Sequence, residues 1–499
     1  MRQDNKKMRC MCCDQSVFWS VSEPASFARE FAKKAEISGM VYAEIFSCLS
    51  AQAPFYVPSQ PSVSHSSLKI GTPFALYEYN KTKMKKQTQN KCEKAGGFIM
   101  AERLLEGVRV IDFTDFLAGP YVGMYMADMG ADVIKMENLT SGGNFVRNAR
   151  PKEKNTGRSM YFQNLNRNKR GVALNLKSEE GKELFRELVK SADVLIENNR
   201  PGVMKRLGFS YEECKEINPR LIYASISGFG QYGPNSHRPG YDLIAQAMGG
   251  SMSITGWPGQ EPTRAGMAIG DMFAGLNVGF AVCASLYKRQ FTGKGQMIDV
   301  ALVDSIVSGM EAKMMQYIYE GIAPKMSGNK YISSAPYDSF KAGNGHFVIA
   351  SGTDVHFKKL SAAMGMPELA ENPLYIDTES RKANADSLKE IIEKWASDKT
   401  VKECVAIIDE VGVPAGPIYD CADVCADKNI VEVREMLVKV PHKEAGELTV
   451  LGNPIKMSEY PCQYTKAAPD LGEDNFAIFE ELGFSEEKLN EYKEKGALN

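Results

Sequence analysis

The segment Gly107-Val-Arg-Val-Ile-Asp-Phe113 and the run from Ala131 to Glu137 decide the fold of this chain. Both are short and mostly apolar, as strands buried within a parallel sheet are. Between them, an apolar pattern with helical spacing begins at Gly119-Pro120 and ends at Gly130. A strand, a helix and a second strand in this order predict a βαβ unit.

The same alternation of strand-like and helix-like segments continues downstream. It predicts an α/β fold in which a doubly wound parallel sheet carries helices on both faces. The segments that carry this prediction are Gly171 to Leu176, Ser178 to Ser191, Asp193 to Glu197, Leu221 to Ser227 and Gly295 to Val303.

A long apolar stretch from Met272 to Tyr287 predicts a helix that is buried against this sheet. At helical spacing, Phe273, Leu276 and Phe280 fall on one side of the helix, and Ala284 continues the row. We expect that side to face the core.

Changes in composition divide the chain into four parts. Residues 1–99 are an extension, 100–320 form a large α/β domain, 321–430 form a smaller α+β domain, and 431–499 form a C-terminal segment. The smaller domain includes a predicted hairpin from Tyr337 to Ser351, with Asn344-Gly345 at its turn.

The extension differs in texture from the rest of the chain, and we predict that it is disordered or precedes the natural start at Met100. Three cysteines, Cys10, Cys12 and Cys13, crowd near its beginning. Such a group can bind a metal ion, but no fourth ligand lies nearby in the sequence, so no metal site is expected.

The bulk composition argues against nucleic acid and membrane partners. The 499-residue chain has 60 Lys plus Arg against 62 Asp plus Glu, so no charge of one sign accumulates. No apolar run approaches the roughly 18 residues that cross a bilayer, and no signal peptide follows the charged start. Eleven cysteines, an odd number, suit free thiols in a reducing compartment. These features predict a cytoplasmic protein.

One glycine motif requires interpretation. Gly228-Phe-Gly-Gln-Tyr-Gly233 matches the GxGxxG pattern of dinucleotide sites and follows a predicted strand. Pro234 comes next, however, and no helical pattern begins at the third glycine, so we interpret the motif as a turn. The sequence has no P-loop, nucleophile elbow or HExxH motif, and its five histidines are far apart.

The candidate catalytic residue is Asp271, within Gly266-Met-Ala-Ile-Gly-Asp-Met-Phe-Ala-Gly275 at the head of the long helix. Small residues on either side let another group approach its carboxylate. One interpretation is a helix N-cap, which accepts hydrogen bonds from the first turn. The other is a carboxylate that is free for covalent catalysis. The local pattern alone favours the cap.

The chain from Leu105 to Leu498 resembles the class III CoA-transferases, the family of formyl-CoA and carnitine CoA-transferases. Each matching block is weak alone, but their order and spacing are specific together. The blocks are Leu105 to Phe113, Ala118-Gly-Pro, Gly130 to Glu137, Asn168-Lys-Arg170, Asp193 to Asn198, Asn218-Pro219, Gly240-Tyr-Asp242, Gly270-Asp271 and Thr292-Gly-Lys-Gly-Gln296.

The resemblance implies that Asp271 is the nucleophile of a transferase that exchanges one CoA thioester for another. The reaction passes through an aspartyl anhydride and an aspartyl-CoA thioester, and it requires neither ATP nor a metal. Coenzyme A is then a thioester substrate, and no tightly bound cofactor is expected. Family members are interlinked homodimers, in which the C-terminal segment returns to the large domain, and we expect the same here.

The resemblance also assigns contact residues. Those implied for CoA are Leu174, Lys177, Asn198 and Arg206. Those implied for the substrate pocket are Leu117, Ala118, Tyr241 and Asp242. Each has an ordinary alternative, because an isolated basic residue is usually a solvated charge and an isolated leucine or tyrosine usually packs.

Departures from the family pattern bear on the substrates. Formyl-CoA transferases have glutamine where this chain has Leu117, arginine where it has Asn138, and a run of glycines that it lacks. These differences argue against formyl-CoA and oxalate and favour a larger or more apolar acid. A related α-methylacyl-CoA racemase is a rival, but Tyr241 replaces its histidine base, and a phenol is a poor base at neutral pH. A non-catalytic acyl-CoA-binding protein is the second alternative.

Overall fold

The structure is a computed structural model and describes residues 103–499. The predictions for the extension 1–99, including Cys10, Cys12 and Cys13, and for a start at Met100 lie outside these residues. All elements given below belong to residues 103–499.

Six parallel strands form the central sheet. They are β1 (Arg109–Phe113), β2 (Asp132–Asn138), β3 (Arg170–Leu174), β4 (Val194–Glu197), β5 (Ile222–Ser227) and β6 (Met297–Ala301). Their order across the sheet is β3-β2-β1-β4-β5-β6. The chain thus builds toward one edge through β2 and β3, and toward the other through β4, β5 and β6. The predicted doubly wound α/β class is confirmed.

Helices follow the strands of this sheet. They are α1 (Ala118–Asp128), α2 (Met160–Asn166), α3 (Glu179–Ser191), α4 (Val203–Leu207), α5 (Tyr211–Ile217), α6 (Asp242–Met248), α7 (Ser251–Ile254), α8 (Ile269–Thr292), α9 (Leu302–Gly309) and α10 (Glu311–Glu320). Short 3₁₀ turns occupy Leu139–Ser141 and Phe145–Asn148 between β2 and α2.

A second group of elements has its own core around Phe340 and Phe347. They are β7 (Tyr337–Ala342), β8 (Gly345–Ala350), β9 (Ala415–Pro417), α11 (Asp354–Ala363), α12 (Thr378–Ala383), α13 (Ala385–Ala396) and α14 (Val401–Glu410). The hairpin predicted here is present, but its two-residue loop lies one position earlier, at Gly343-Asn344. The register pairs the two buried phenylalanines, which places the loop there.

The C-terminal elements are α15 (Cys421–Ala426), a π-helical turn (Asn429–Val433), β10 (Leu437–His442), β11 (Gly446–Leu451), α16 (Asn475–Glu481) and α17 (Glu486–Glu494). Near the chain end, Leu498 pairs with Leu174 of β3, and the Asn175 N–H donates to the Ala497 carbonyl at 2.8 Å. The end of the chain therefore returns to the β3 edge of the central sheet.

Two apolar cores lie on the two faces of this sheet, because adjacent strand residues point in opposite directions. Ile111 of β1 packs with Leu184 of α3 and with Leu489 of α17. Its neighbour Val110 faces the other core, which includes Val122 of α1 and residues of α8 and α9. The sheet is therefore a middle layer, and its strands end between the two helical layers.

The predicted orientation of α8 is wrong. The residues expected in the core are exposed, namely Phe273, Leu276, Phe280 and Ala284. The buried row is Ala274, Val278, Val282 and Leu286. Close packing on α1 explains this, since a Cβ on Gly275 would lie 2.9 Å from the carbonyl oxygen of Ala118. The side that begins with Ala274 and Gly275 therefore packs inward, and Phe273, Leu276 and Phe280 point outward.

The expectation that no apolar run approaches the length of a membrane span is wrong for α8. Of the helices within residues 103–499, it alone is long and apolar enough to cross a membrane, with a mean hydropathy of 1.5 over an 18-residue window. One side of it belongs to the core on the sheet. Packing against the sheet accounts for the apolar residues on that side.

Two buried lysines hold the turn between β1 and α1 against the sheet. The Lys135 ammonium donates to Asp112 Oδ1 at 3.2 Å and to the Thr114 carbonyl. The Lys169 ammonium donates to Asp112 Oδ2 at 2.7 Å and to the Pro120 carbonyl at 3.0 Å. Burial acts to raise the pKa of Asp112, but attraction to the lysines outweighs it and lowers the pKa to about 2. The ionised carboxylate and the lysines thus fix both ends of the turn.

We expect Lys169→Met to lower the free energy of unfolding by about 3 kcal/mol, because it leaves a buried carboxylate with one cation fewer. Urea denaturation at neutral pH measures the change. Lys177→Met is the control, since Lys177 is exposed and its replacement should change the free energy by about 0.5 kcal/mol or less. Equal losses in both variants would contradict a structural role for the buried cluster.

Candidate active site

A cavity of about 430 Å³ opens at the carboxyl ends of β1, β4 and β5. The strand order reverses between β1 and β4, and open α/β sheets bind ligands at such a point because the loops on its two sides diverge. Its walls are the β1–α1 turn, the loop after β4, the segment between β5 and α6, and the start of α8. The sheet thus brings together loops that are distant in sequence.

Asn198 joins two of these walls. Its side-chain oxygen accepts a hydrogen bond from the Asp115 N–H at 2.8 Å, and its side-chain nitrogen donates to the Asp115 carbonyl at 2.7 Å. The pair of bonds ties the loop after β4 to the turn after β1. The cavity therefore has a fixed width at the point where the strand order reverses.

Two glycines close the third wall. A Cβ added to Gly228 would lie 2.7 Å from the Cα of Gly240, which is too close for any side chain. This contact holds the segment after β5 in a loop and places Tyr241 and Asp242 beside the end of that strand. No helix begins within residues 228–240, and Gly230 and Gly233 have φ values of 83° and 90°. The interpretation of the GxGxxG motif as a turn is confirmed.

Asp271 is the third residue of α8 and lines the cavity. The N-cap position belongs to Ala268, which has no capping side chain. Among residues 103–499, no hydrogen bond to the Asp271 carboxylate is present. The cap interpretation, which the local pattern favoured, is therefore wrong.

Asp242 provides the acceptor that the helix needs. Its Oδ1 accepts from the Gly270 N–H at 2.8 Å, and its Oδ2 accepts from Gln246 Nε2, also at 2.8 Å. Gln246 is fully buried, and its Oε1 accepts from the Ala265 N–H at 2.8 Å. Gly270 has to be small, because a Cβ there would lie 3.1 Å from Asp242 Oδ1. This network holds the start of α8 and leaves Asp271 free.

The same arrangement determines the charge state of Asp271. Burial, and then repulsion from Asp242, raises its pKa from 3.8 to about 7. A carboxyl group with this pKa is partly ionised at neutral pH, so it can act as a nucleophile and also leave again.

Sequence analysis missed two residues at this site. Tyr161 on α2 lines the cavity, and burial, with the nearby charge of Asp271, raises the pKa of its hydroxyl to about 12. The hydroxyl is therefore protonated at neutral pH and is a hydrogen-bond donor. Gln246 is the other missed residue. Neither lies near Asp271 in sequence, and no local pattern marks them.

The four residues expected in the substrate pocket lie in one place. Leu117, Ala118, Tyr241 and Asp242 all line the cavity that contains Asp271. Because both oxygens of Asp242 are bonded to the protein, its part in the site is to hold α8.

The four residues expected to contact CoA are more dispersed. Asn198 lines the cavity, whereas Leu174, Lys177 and Arg206 are not among its lining residues. The Leu174 side chain is fully buried in the core, which leaves only its main chain for a ligand. Lys177 and Arg206 are exposed, after β3 and on α4 respectively. The role of these four residues stays a prediction.

A family model described as CoA-transferase family III matches residues 105–475. The chain belongs to this family. This family III transferase is 41% identical over 385 residues to the acetyl-CoA:oxalate CoA-transferase of Acetobacter aceti. The matched region covers 77% of this chain and 97% of that protein. It is also 41% identical over 389 residues to the succinyl-CoA:mesaconate CoA-transferase of Haloarcula marismortui, across 76% of this chain and 96% of that protein.

Solved structures agree with the fold of this family III transferase. The crystal structure of a CAIB/BAIF family protein from Brucella suis superimposes with a TM-score of 0.70 at 38% sequence identity. The match covers 76% of this chain and 100% of the Brucella suis protein. The chain is therefore an enzyme of CoA transfer, and the resemblance found in its sequence blocks is confirmed.

Proposed function

We propose that this enzyme moves coenzyme A from an acyl-CoA thioester to a free carboxylic acid by covalent catalysis on Asp271. The observation that carries the proposal is the unbonded Asp271 carboxylate in the cavity wall, with Asp242 serving the helix in its place. The names of the relatives, each a CoA-transferase acting with an organic acid, support the same reaction class.

The chemistry proceeds in two symmetrical halves. An ionised Asp271 oxygen attacks the thioester carbonyl carbon, the C–S bond breaks, and an acyl-aspartyl anhydride and CoA thiolate result. The thiolate attacks the aspartyl carbonyl carbon, which releases the donor acid as a carboxylate and leaves an aspartyl-CoA thioester. The acceptor carboxylate then reverses both steps. One thioester replaces another, so no phosphate bond is consumed.

We place CoA along the carboxyl edge of the sheet, with its thiol end in the cavity. Lys177 and Arg206 are exposed cations suited to its phosphates, and Asn198 lies where the arm enters. The walls of the cavity would then exclude water from the anhydride, which water would otherwise hydrolyse.

The racemase alternative lacks its proton-transfer groups. Such an enzyme needs a base on each side of the α-carbon, but the cavity is lined by no histidine within residues 103–499. Tyr241 stands at the position of the racemase histidine, and both oxygens of the adjacent Asp242 accept hydrogen bonds from the protein. The transferase reaction instead uses the unbonded carboxylate of Asp271.

We also propose that the enzyme acts as an interlinked homodimer, as the family resemblance implies. The outward side of α8 supports an interface, because Phe280, Tyr287 and Phe291 are 80%, 69% and 70% exposed there. Monomeric soluble proteins rarely expose so many large apolar side chains on one helix.

Incubation of the enzyme with acetyl-CoA and hydroxylamine should convert Asp271 to a hydroxamate, because hydroxylamine attacks the aspartyl-CoA carbonyl. Peptide mass spectrometry identifies the modified residue. Asp271→Ala should lower CoA exchange by about 10³-fold or more while its urea denaturation midpoint stays close to that of the unmodified chain. Asp304→Ala is the control, since Asp304 is an exposed carboxylate on α9. An active, folded Asp271→Ala variant would refute the mechanism.

The rate should depend on the ionisation of Asp271. Because its pKa is raised to about 7, kcat/KM should increase as pH rises through about 7. In Asp242→Asn the repelling charge is gone, so the pKa of Asp271 falls and the acid limb moves to lower pH. Initial rates between about pH 5 and pH 9 locate the acid limb in the unmodified enzyme and in Asp242→Asn. Asp304→Asn is the control. An acid limb that Asp242→Asn leaves in place argues against this electrostatic coupling.

If the enzyme is a homodimer, light scattering after gel filtration should give a molecular mass twice that of one chain for the unmodified protein. Because interlinked chains separate only on unfolding, Phe280→Asp should lower the yield of dimer after denaturation and refolding, since a charge in an apolar interface is costly. Tyr232→Asp, at an exposed tyrosine of the loop after β5, is the control and should keep the dimer. A monomeric unmodified enzyme contradicts the proposal.

A further inference from the structure

Three exposed aromatic rings lie side by side at the cavity. The ring centroids of Phe116 and Tyr241 are 5.7 Å apart in an edge-to-face arrangement, and those of Phe116 and Phe145 are 5.9 Å apart. Phe116 and Tyr241 line the cavity, and Phe145 extends the row outward. The three side chains are 40%, 57% and 73% exposed in the order Phe116, Tyr241, Phe145. We call this row the aromatic rim.

The backbone holds Phe116 in an unfavourable conformation. Its φ is 62°, in the left-handed region that residues other than glycine, asparagine and aspartate seldom adopt. The neighbouring residue Asp115 is tied to Asn198, and Lys135 holds the carbonyl of Thr114 from below. Strain that the surroundings enforce in this way is concentrated at functional sites. The turn therefore presents the ring to the cavity at a cost in backbone strain.

Both inner rings are anchored at the Asp271 end of the cavity. Tyr241 directly precedes Asp242, which is bonded to the residue before Asp271. Phe116 lies two residues before Ala118, whose carbonyl packs on α8 next to Gly275, one helical turn after Asp271. A group bound to the rim therefore lies in the same cavity as the Asp271 carboxylate.

The charges around Asp271 disfavour a second carboxylate close by. Among residues 103–499, Asp242 is the only charged side chain that shifts the pKa of Asp271, and it is negative. Two arginines, Arg200 and Arg238, also line the cavity, but neither lowers that pKa. Leu117, Leu243 and Leu302 add apolar walls. These surroundings suit a carbon skeleton better than a short dicarboxylate.

Resting on the proposed function, we propose that the aromatic rim determines acyl specificity and that the acids used are monocarboxylic acids with a flat or branched apolar skeleton. The carboxylate of the acid meets Asp271, and the apolar skeleton lies on the rings of Phe116, Tyr241 and Phe145. Aromatic rings offer large, rigid apolar surfaces that suit such groups.

The test uses propionyl-CoA as the donor and four acceptors: phenylacetate, isovalerate, acetate and mesaconate. Initial rates of formation of each new thioester, read by liquid chromatography, give kcat/KM for every acid. We expect phenylacetate and isovalerate to exceed acetate by about tenfold. In Phe145→Ala the value for phenylacetate should fall about tenfold while that for acetate changes by about twofold or less. Tyr232→Ala is the matched control, an exposed tyrosine outside the cavity lining, and should change neither.

Two outcomes would overturn the inference. A higher kcat/KM for mesaconate than for phenylacetate would assign the site to dicarboxylic acids. An equal loss of kcat/KM for all acids in Phe145→Ala, together with weaker inhibition by free CoA, would assign the rim to the CoA arm. Hydroxamate formation at Asp271 distinguishes the levels of failure. If Asp271 is labelled but acid selectivity is unaffected, only the rim assignment fails, whereas an unlabelled Asp271 refutes the proposed function as well.

Discussion

The hydrogen bond from the Gly270 N–H to Asp242 Oδ1, 2.8 Å long, is the interaction on which the site depends. The first N–H groups of a helix need acceptors, and a carboxylate in the first turn usually provides one. Here the acceptor is Asp242, which belongs to α6, so Asp271 remains unbonded in the cavity. The same negative charge adds to burial in raising the pKa of Asp271 to about 7. One side chain therefore both caps the helix and adds to the effect of burial on the pKa of its neighbour.

That hydrogen bond forms only because the sheet and its loops are held in place. Contact between Gly228 and Gly240 brings Asp242 to the end of β5, and Asn198 ties the loops across the reversal point. Beneath the turn after β1, Lys135 and Lys169 share one buried carboxylate. A buried ion cluster of this kind contributes little net stability, but removing one member is costly. Its effect is to fix the geometry of the turn that carries the strained Phe116.

The exposed apolar surfaces of the chain fall in two places with different meanings. The large side chains of α8 point away from the sheet, since small residues such as Gly275 take the inward side. The aromatic rim, in contrast, borders the cavity and touches the turn beside Asp271. Exposed apolar surface on α8 is suited to contact with a second copy of the chain, whereas apolar surface at the mouth of the cavity is suited to contact with a substrate.

The sequence by itself determined the alternation of strands and helices, because burial on two faces leaves continuous apolar runs: β1 was expected at 107–113 and lies at Arg109–Phe113. Its glycine spacing predicted the turn at Gly228, and its resemblance to a known family made Asp271 a candidate nucleophile, although the local pattern favoured a helix cap. Only the tertiary structure decided which side of α8 is buried, since two apolar rows share the helical period and the close approach of Gly275 to α1 selects the row that begins at Ala274. It alone showed that Asp242 caps the helix and that Tyr161 and Phe116 reach the cavity. Those contacts join distant segments, and local patterns record period and capping chemistry but not the long-range partner that satisfies them.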